Sequence, residues 1–314
     1  MANSELKIFS GSSCPELGEK ITKYLGVEPG KIKISRFAGG EIYARLLDNV
    51  RGHGCVIIQT CSEKVNEDLM ELFIIIDAMK RASAKSITAV MPHFGYARQD
   101  RKAASREPIS ARLVANLLES AGADRIITMD LHSDQIQGFF NIPVDTLTAL
   151  PLFTTYLKQK DLKDVVVVAP DTGRAKVAKK LADRIGAQLA ILHKVRAEHH
   201  QSSVTHVVGD VKGKSVIITD DMIDTAGTIT TGVCALREAG CRDEIYVVAT
   251  HGILSGPAVE RMAKVGFKEA IFSDSVPIPA EKRFKGLTVL SSAEILGEAI
   301  RRNFENKSIS SLFD

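Results

Sequence analysis

Short runs of apolar and β-branched residues alternate along the chain with longer segments of helical periodicity. Several of these runs are apolar on both faces, as buried parallel strands are. The runs predict strands over residues 31–37, 54–60, 86–92, 125–131, 165–170, 189–194, 215–221, 245–250, 269–274 and 287–292. The periodic segments predict helices over residues 66–82, 110–123, 174–187 and 228–241. Strands that alternate with helices predict parallel βαβ units and therefore an α/β fold with mainly parallel, doubly wound sheets.

Two segments of the chain have similar sequences. The segment that begins at residue 54 resembles the segment that begins at residue 214, an offset of about 160 residues that suggests an internal repeat. We interpret this similarity as two similar domains, although convergence of ordinary βα units would also produce it. The boundary is expected in the proline-containing segment 141–153. The predicted ranges are an N-terminal domain over 1–147, a C-terminal domain over 148–304, and a tail, 305–314, that packs on the N-terminal domain or on a neighbouring subunit.

Composition limits the class of protein. The 314 residues are 45% apolar and 25% charged, which suits two globular α/β domains. The net charge is only +3 and tryptophan is absent, so a nucleic-acid partner is not expected. The N-terminal residues do not resemble a signal peptide, and no apolar run is long enough to span a membrane, so no membrane association is expected. The five cysteines form no CxxC pair, which favours a reduced, cytoplasmic chain.

The segment VIITDDMIDTAGTIT, residues 216–230, carries the strongest functional signal. A predicted strand ends in the adjacent acids Asp220 and Asp221, and Asp224 then precedes the small residues Thr225–Thr228 at the start of a predicted helix. The backbone N–H groups and hydroxyls of this loop would bind a phosphate at the helix N-terminus. An acidic loop that only caps the helix is the alternative interpretation.

The strand, the paired acids and the D-T-A-G-T loop resemble the phosphoribosyl-binding loop of type I phosphoribosyltransferases. Two further segments, 96–111 and 130–145, resemble signatures of the ribose-phosphate pyrophosphokinase family, and the similarity extends to 65–72, 255–261 and 308–313. It therefore covers essentially the whole chain. The resemblance implies two domains of type I phosphoribosyltransferase kind. It also implies transfer of the diphosphoryl group of ATP to the anomeric hydroxyl of ribose 5-phosphate, giving 5-phosphoribosyl 1-diphosphate (PRPP) and AMP.

The resemblance also implies a set of site residues. Ribose 5-phosphate would contact Arg196, Asp220, Asp221, Asp224, Thr225, Ala226, Gly227 and Thr228. ATP would contact Arg98, Gln99, Asp100 and His132, together with Phe37, Gly39, Gly40 and Glu41 of a neighbouring chain. His132 and Asp171 would lie at Mg²⁺, the implied cofactor. Lys194 and Arg196, in a segment that the sequence predicts to be a mobile flap, would stabilise charge on the transferred group.

A second anion site and an oligomer are further implications. In relatives, comparable residues line a phosphate or ADP site between subunits, and the candidates here are Arg51, Arg81, Ser83, Ser308 and Ser310. Inorganic phosphate and ADP are therefore the expected effectors. The resemblance also implies a homo-oligomer, a hexamer built from dimers.

Four positions depart from the family pattern: Gly39, Asn141, Arg174 and Val195. Asn141 stands where relatives carry a metal-binding acid, so we assign no metal there, and Arg174 places an additional cation beside a phosphate region. Two other functions stay open, a phosphoribosyltransferase that consumes PRPP and a catalytically silent regulatory homologue. The motifs at 96–111 and 130–145 argue against the first, and the retained cations and complete loop argue against the second.

Overall fold

The computed structural model describes residues 5–195 and 204–312. The strands are β1 (Leu6–Ser10), β2 (Ile32–Arg36), β3 (Ile42–Leu46), β4 (Gly54–Ile58), β5 (Ser86–Met91), β6 (Arg125–Met129), β7 (Val144–Leu147), β8 (Val165–Ala169), β9 (Gln188–Val195), β10 (Val204–Val208), β11 (Ser215–Ile223), β12 (Ile245–Gly252), β13 (Glu269–Ser273) and β14 (Leu287–Leu290). The α-helices are α1 (Pro15–Leu25), α2 (Val65–Arg81), α3 (Ser110–Ala121), α4 (Leu150–Lys158), α5 (Ala175–Ile185), α6 (Gly227–Glu238), α7 (Ala258–Val265) and α8 (Ala293–Phe304). The predicted α/β fold with two mainly parallel sheets is confirmed.

The first compact unit contains the described residues through Thr148, the segment Ser275–Pro277 and the described residues from Ser291 onward. Its sheet has the strand order β1-β4-β5-β6-β7, and all neighbouring strands are parallel. The strands β2 and β3 form a separate antiparallel hairpin that packs on α2. Every residue of β4 is buried, which explains why this strand is apolar on both faces.

The second compact unit contains the described residues of Ala149–Asp274 and Ile278–Leu290. Its sheet has the strand order β10-β9-β8-β11-β12-β13-β14. Among the described strands of this sheet, β10 is antiparallel to its neighbour β9, and the other neighbours are parallel. The strand β11 lies near the centre, and its apolar side chains join a core that includes Ile218, Val247 and Phe272.

The two sheets repeat one topology. The order β1-β4-β5-β6-β7 in the first unit corresponds to β8-β11-β12-β13-β14 in the second. A helix follows the first strand of each set, α1 in one and α5 in the other, and an antiparallel pair then precedes β4 and β11. This correspondence is expected of two copies of one domain.

The last helix of each copy belongs to the other unit. The helix α4 follows β7 along the chain but packs on α5 in the second unit. The helix α8 follows β14 along the chain but packs on α1 in the first unit. Each unit is therefore completed by a helix from the end of the other copy.

Partly buried polar contacts fix both exchanged helices. In the second unit, the Tyr156 hydroxyl of α4 donates to Glu269 Oε1 at 2.5 Å, and Lys160 Nζ lies 2.7 Å from Glu269 Oε2. In the first unit, Asn303 Nδ2 of α8 donates to Asp145 Oδ2 at 2.8 Å. Because Glu269 is buried, water screens its ion pair less than it would screen an exposed pair.

The structure also contains elements that the hydrophobic pattern does not predict, namely β1, β3, β7, β10, α1, α4, α7 and α8. The predicted strand at 31–37 exists as β2, but it belongs to a hairpin rather than to a parallel βαβ unit. The domain ranges 1–147, 148–304 and 305–314 stay a prediction, and α8, within the second of these ranges, belongs to the first unit. Across residues 5–195 and 204–312, no helix has both the length and the apolar character of a membrane span.

We predict that Glu269→Gln loosens α4 and lowers the free energy of unfolding by about 2 kcal/mol, as expected for loss of hydrogen bonds to a charged group. Burial opposes ionisation of Glu269, but hydrogen bonds from Lys160, Thr288 and Tyr156 lower its pKa below the ordinary 4.5. The wild-type carboxylate therefore contributes stability above that value, and this contribution is lost as the pH falls through the lowered pKa.

Urea unfolding followed by circular dichroism at neutral and acidic pH measures this effect. The variant should be less stable than the wild type at neutral pH, and the difference should shrink in acid. Glu281→Gln, at an exposed position, is the control and should leave stability unchanged. Equal stability of Glu269→Gln and the wild type at neutral pH would contradict the prediction.

Candidate functional site

The strand β11 carries the paired acids of the predicted site. It continues to Ile223, so Asp220 and Asp221 lie inside the strand. Asp221 is buried, and its backbone N–H donates to Asp220 Oδ1 at 2.8 Å. Because β11 lies between the parallel strands β8 and β12, the acids lie at the carboxyl edge of the sheet, where open α/β sheets bind ligands.

Arg174 is the cation that faces these acids. Its Nε lies 3.4 Å from Asp220 Oδ1, and its Nη2 contacts Asp221 Oδ2. The backbone N–H of Arg174 donates to Asp171 Oδ1 at 3.1 Å, in the turn that follows β8. The ion pairs of Arg174 therefore join the loop after β8 to the end of β11, and the backbone hydrogen bond of the same residue stabilises the turn within that loop.

The protonation of Asp220 depends on these neighbours. Burial raises the pKa of Asp220 well above its ordinary value, and the hydrogen bond and negative charge of Asp221 raise it further, whereas the Arg174 guanidinium lowers it. Two adjacent carboxylates in a partly dehydrated site are unfavourable unless a proton or a cation balances them. The acid pair therefore presents less negative charge than two carboxylates in water would.

The loop after β11 enters α6 with its backbone donors at the helix N-terminus. Ala226 is the N-cap residue, with a left-handed φ of +59°, and the helix begins at Gly227. Because alanine has no side-chain acceptor, Ala226 does not cap the first N–H groups of the helix. Thr225 and Thr228 are exposed and add hydroxyls to the same loop. Free backbone donors and the positive end of the helix dipole favour an anion such as a phosphate here.

Arg261 of α7 is a further cation beside this loop, and it is not among the predicted site residues. Its Nη1 donates to the Thr225 carbonyl at 3.0 Å. The Ser255 N–H, in the same SGPAVER segment, donates to the Asp224 carbonyl at 3.0 Å. The segment that follows β12 thus supports the loop that follows β11. The strand β12 is the parallel neighbour of β11, so the segment after β12 is expected at the same edge of the sheet as the loop after β11. This position is the sequence signal that could have identified Arg261.

The other residues predicted on this side lie at the same edge of the second sheet. Asp171 follows β8 and is exposed, and Lys194 lies near the end of β9, which is parallel to β8. The backbone therefore places Lys194 at the edge that carries Asp171 and the acid pair. Arg196 lies outside the described residues, so its role stays a prediction.

The predicted metal residues His132 and Asp171 lie in separate units, and their pairing stays a prediction. In the described part of the chain, no group of three or more His, Cys, Asp or Glu side chains is arranged as a metal site. Asn141, where no metal is assigned, donates from N and Nδ2 to the Glu119 carboxylate at 2.6 and 2.9 Å. Its amide therefore holds the loop before β7.

Predicted ATP residues of the first unit follow two neighbouring strands. Arg98, Gln99 and Asp100 lie in the loop after β5, and His132 follows β6. The Ser110 hydroxyl at the start of α3 donates to Gln99 Oε1 at 2.6 Å and holds this loop. Because β5 and β6 are parallel neighbours, their loops share the carboxyl edge of the first sheet, which brings these predicted residues to one edge.

The other predicted ATP residues form the tip of the β2–β3 hairpin. The Phe37 N–H donates to the Glu41 carbonyl, and the Gly40 N–H donates to the Phe37 carbonyl, both at 2.9 Å. The Phe37 side chain is 58% exposed and packs edge-on against Tyr43, with ring centroids 5.6 Å apart. An exposed ring at a hairpin tip can stack on a base. Gly39 has open space around it.

The residues predicted for a second anion site form two separate contacts. Arg51 Nη1 donates to Ser83 Oγ at 3.1 Å, and Ser308 Oγ donates to Ser310 Oγ at 3.1 Å. Arg81 instead pairs with an acid one turn earlier in α2. The phosphate or ADP site stays a prediction.

In the first unit, side chains fill the place that corresponds to the acid pair. Gln59 and Thr60 follow β4, the counterpart of β11. Gln59 Nε2 donates to Glu71 Oε1 at 2.8 Å, and the Ser12 N–H donates to the same oxygen at 2.7 Å. A Cβ added at Gly11 would lie only 2.3 Å from Gln59 Oε1. The part of this edge at the ends of β1 and β4 is therefore closed by its own hydrogen-bonded side chains.

Comparisons with known proteins agree with one another. Residues 6–122 match the family model for the N-terminal domain of ribose phosphate pyrophosphokinase, and residues 197–314 match the phosphoribosyl synthetase-associated domain. The chain is 49% identical over 312 residues to the ribose-phosphate pyrophosphokinase of Oceanobacillus iheyensis and 49% identical over 311 residues to that of Bacillus subtilis, covering 99% of this chain and 98% of each relative. The crystal structure of phosphoribosylpyrophosphate synthetase from Mycobacterium smegmatis is 50% identical, with a TM-score of 0.91 over 96% of this chain and 99% of that one.

We predict that Gly227→Ala weakens ribose 5-phosphate binding at least about 10-fold, because a methyl group would cover backbone donors that an anion must approach closely. The ligand-free protein should tolerate the change, since the nearest neighbours of the added Cβ, Arg261 Nη1 and Thr225 Oγ1, lie 3.7 and 3.9 Å away. Calorimetric titration measures binding, and a thermal melt checks that the fold is intact.

The matched control is Gly138→Ala, at a glycine that also has open space and lies in the first unit. It should change neither the melt nor the affinity. Wild-type affinity in Gly227→Ala would show that the ligand phosphate does not bind on this loop.

Proposed function

This chain belongs to the ribose-phosphate pyrophosphokinase family, and on that premise we propose that it transfers the diphosphoryl group of ATP to the anomeric hydroxyl of ribose 5-phosphate. The products are PRPP and AMP, and PRPP serves nucleotide biosynthesis. The observation that carries this function is the similarity over both domains, with 49% identity across 99% of the chain and a TM-score of 0.91 to a solved PRPP synthetase.

The second unit provides the sugar side of the reaction. We propose that Asp220 and Asp221 accept hydrogen bonds from ribose hydroxyls, because carboxylates accept and cannot donate when ionised. The loop Asp224–Thr228 would hold the 5-phosphate at the N-terminus of α6, supported by Arg261 through the Thr225 carbonyl. The open N-terminus of α6 and the exposed threonines support this assignment.

The first unit provides the ATP side. We propose that Arg98 neutralises the ATP phosphates and that Gln99, Asp100 and His132 complete this edge of the sheet. The hairpin tip Phe37–Glu41 would serve the site of a neighbouring subunit, with the Phe37 ring on adenine and the Glu41 carboxylate accepting from the adenine amino group. The exposure of Phe37 supports this role, since an aromatic ring of this kind is usually buried.

The reaction is a displacement at phosphorus. The anomeric oxygen of ribose 5-phosphate forms a bond to the β-phosphorus of ATP and loses its proton, and the bond from that phosphorus to the bridging oxygen of the α-phosphate breaks to release AMP. Such transfers depend on positioning and on positive charge around the transferred group. We propose that Lys194 and Arg196 provide that charge at the carboxyl edge of the second sheet.

A kinase-type transferase of this family needs a divalent cation, and we propose Mg²⁺. The exposed carboxylate of Asp171 is an oxygen ligand of the kind that Mg²⁺ prefers, and Mg²⁺ commonly binds one or two carboxylates together with substrate phosphates. His132 offers nitrogen, so we place it toward a metal-bound water or a phosphate. When bound, Mg²⁺ would neutralise charge on the ATP phosphates.

We further propose that the protein acts in the cytoplasm as a homo-oligomer, a hexamer built from dimers, and that inorganic phosphate and ADP regulate it through Arg51, Arg81, Ser83, Ser308 and Ser310. An apolar stripe on α3 supports subunit contacts, because Leu113 and Leu117 are 56% and 42% exposed one turn apart.

An assay of the purified chain with ATP, ribose 5-phosphate and Mg²⁺ tests the function. Chromatography should show AMP and PRPP appearing together in equal amounts. A catalytically silent homologue would release no AMP under these conditions. A phosphoribosyltransferase would instead consume added PRPP in the presence of a nucleobase and would not use ATP.

We predict that Lys194→Ala lowers kcat at least about 100-fold, as expected for loss of a group that stabilises transition-state charge. The KM for ATP should change by less than about 3-fold, because the role is proposed for the transition state rather than for the ground state. Lys212→Ala, at an exposed lysine of the same unit, is the control and should keep wild-type kinetics. A near wild-type kcat in Lys194→Ala would refute the proposed role.

A further inference from the structure

The guanidinium of Arg174 lies against both carboxylates of the acid pair, as described above. Its side chain is 14% exposed, and those of Asp220 and Asp221 are 17% and 4% exposed. The three charges are therefore largely removed from water, and their mutual attraction is screened less than it would be at the surface. This cluster is a buried element of the sugar site rather than a surface ion pair.

A buried acid pair needs a positive charge or a proton. Desolvation and mutual repulsion both oppose ionisation of neighbouring carboxylates. Arginine suits this role because its planar fork can contact two oxygens at once and it keeps its charge at every pH at which proteins function. A bound divalent cation is the other common solution.

Arg174 is also held in place before any ligand binds. Its backbone N–H donates to Asp171 Oδ1, and the residue immediately precedes the first residue of α5. Its backbone is therefore fixed by a turn and a helix, while its side chain is fixed by the acids. A group placed in this way loses little conformational entropy when substrate arrives.

We infer that Arg174 is a built-in cation of the ribose-binding acids, which takes over the charge neutralisation that a divalent metal on the sugar would otherwise provide. A guanidinium 3.4 Å from Asp220 Oδ1 repels a second cation at the pair. A carboxylate has about four acceptor positions, so a ribose hydroxyl and the guanidinium can share it. Ribose 5-phosphate accordingly binds without divalent metal, and the metal requirement of the reaction belongs to ATP.

This inference rests on the proposed function for the identity of the ligand, and binding measured without nucleotide tests it separately from turnover. Ribose 5-phosphate is titrated into the full-length protein by calorimetry, once with EDTA and once with excess Mg²⁺. The wild-type Kd should agree within about 2-fold between the two buffers, because Arg174 already balances part of the charge of the acid pair and repels a second cation.

Arg174→Gly should weaken binding in EDTA at least about 10-fold, because truncation of one partner leaves buried charge unpaired. Excess Mg²⁺ should restore most of the lost affinity. Arg174→Lys keeps the charge but not the planar fork, so it should bind in EDTA more weakly than the wild type by no more than about 10-fold, since a lysine can still pair with one carboxylate. Arg283→Gly, at an exposed arginine of the same unit, is the control and should match the wild type in both buffers.

Three results would overturn the inference. The wild type could bind ribose 5-phosphate only with Mg²⁺. Arg174→Gly could bind equally well in EDTA and Mg²⁺ with wild-type affinity, which would leave Arg174 a structural role alone. Its binding could also be equally weak in both buffers, which would make Arg174 a direct phosphate ligand.

If Arg174→Gly does not fold, the wild type and Arg174→Lys still decide, because loss of binding in EDTA by either one contradicts the inference. A wild-type chain that binds ribose 5-phosphate without metal but releases no AMP from ATP would contradict the proposed function alone.

Discussion

Two consecutive carboxylates at the buried end of β11 impose the constraint on which the site depends. In the proposed role, Asp220 and Asp221 are acceptors for a ribose diol, but burial and mutual repulsion oppose their ionisation. The Arg174 guanidinium balances part of the charge of the pair. The backbone N–H of the same residue donates to Asp171 in the loop after β8. One residue therefore both balances the acids and holds the loop after β8. The candidate phosphate loop at the start of α6 follows a strand whose end is fixed by these contacts.

The sequence predicted those parts of the fold in which a local pattern decides the structure. The strands β4, β8 and β11 are nearly continuous apolar runs, and α2 has acids in its first turn and bases in its last, so burial and the helix dipole identify them. The pattern misses α4 because Pro151 suggests a domain boundary, although proline fits the first turn of a helix. The candidate phosphate loop could be identified in the sequence because its residues are consecutive. The contacts of Arg174 and Arg261 join residues that are far apart in the sequence, which no local pattern encodes.

The two copies of the domain satisfy buried charge in different ways. In the first, the Glu71 carboxylate accepts hydrogen bonds from Gln59 and Ser12, so neutral donors satisfy it and the edge is closed. In the second, the acid pair is satisfied by the guanidinium of Arg174, and the adjoining helix N-terminus stays open. A closed hydrogen-bonded network leaves no acceptor free at the end of β4, whereas a partly balanced acid pair at the end of β11 keeps acceptors for the proposed sugar ligand. The same topology thus has a packed strand end at β4 in one copy and an acid pair at the equivalent strand in the other.

The exchange of α4 and α8 also affects the order in which the protein can be completed during synthesis. The strands β1 to β7 precede the second unit along the chain, but the helix that packs on α1 is α8, the last α-helix of the described chain. Until α8 has left the ribosome, the apolar surface that it covers, including the surroundings of the buried Ile300, is open to water and to other chains. A chain interrupted after Thr148 would contain the first sheet but not its final helix. The sheet of the first unit is therefore translated before the second unit, but the first unit is completed after it.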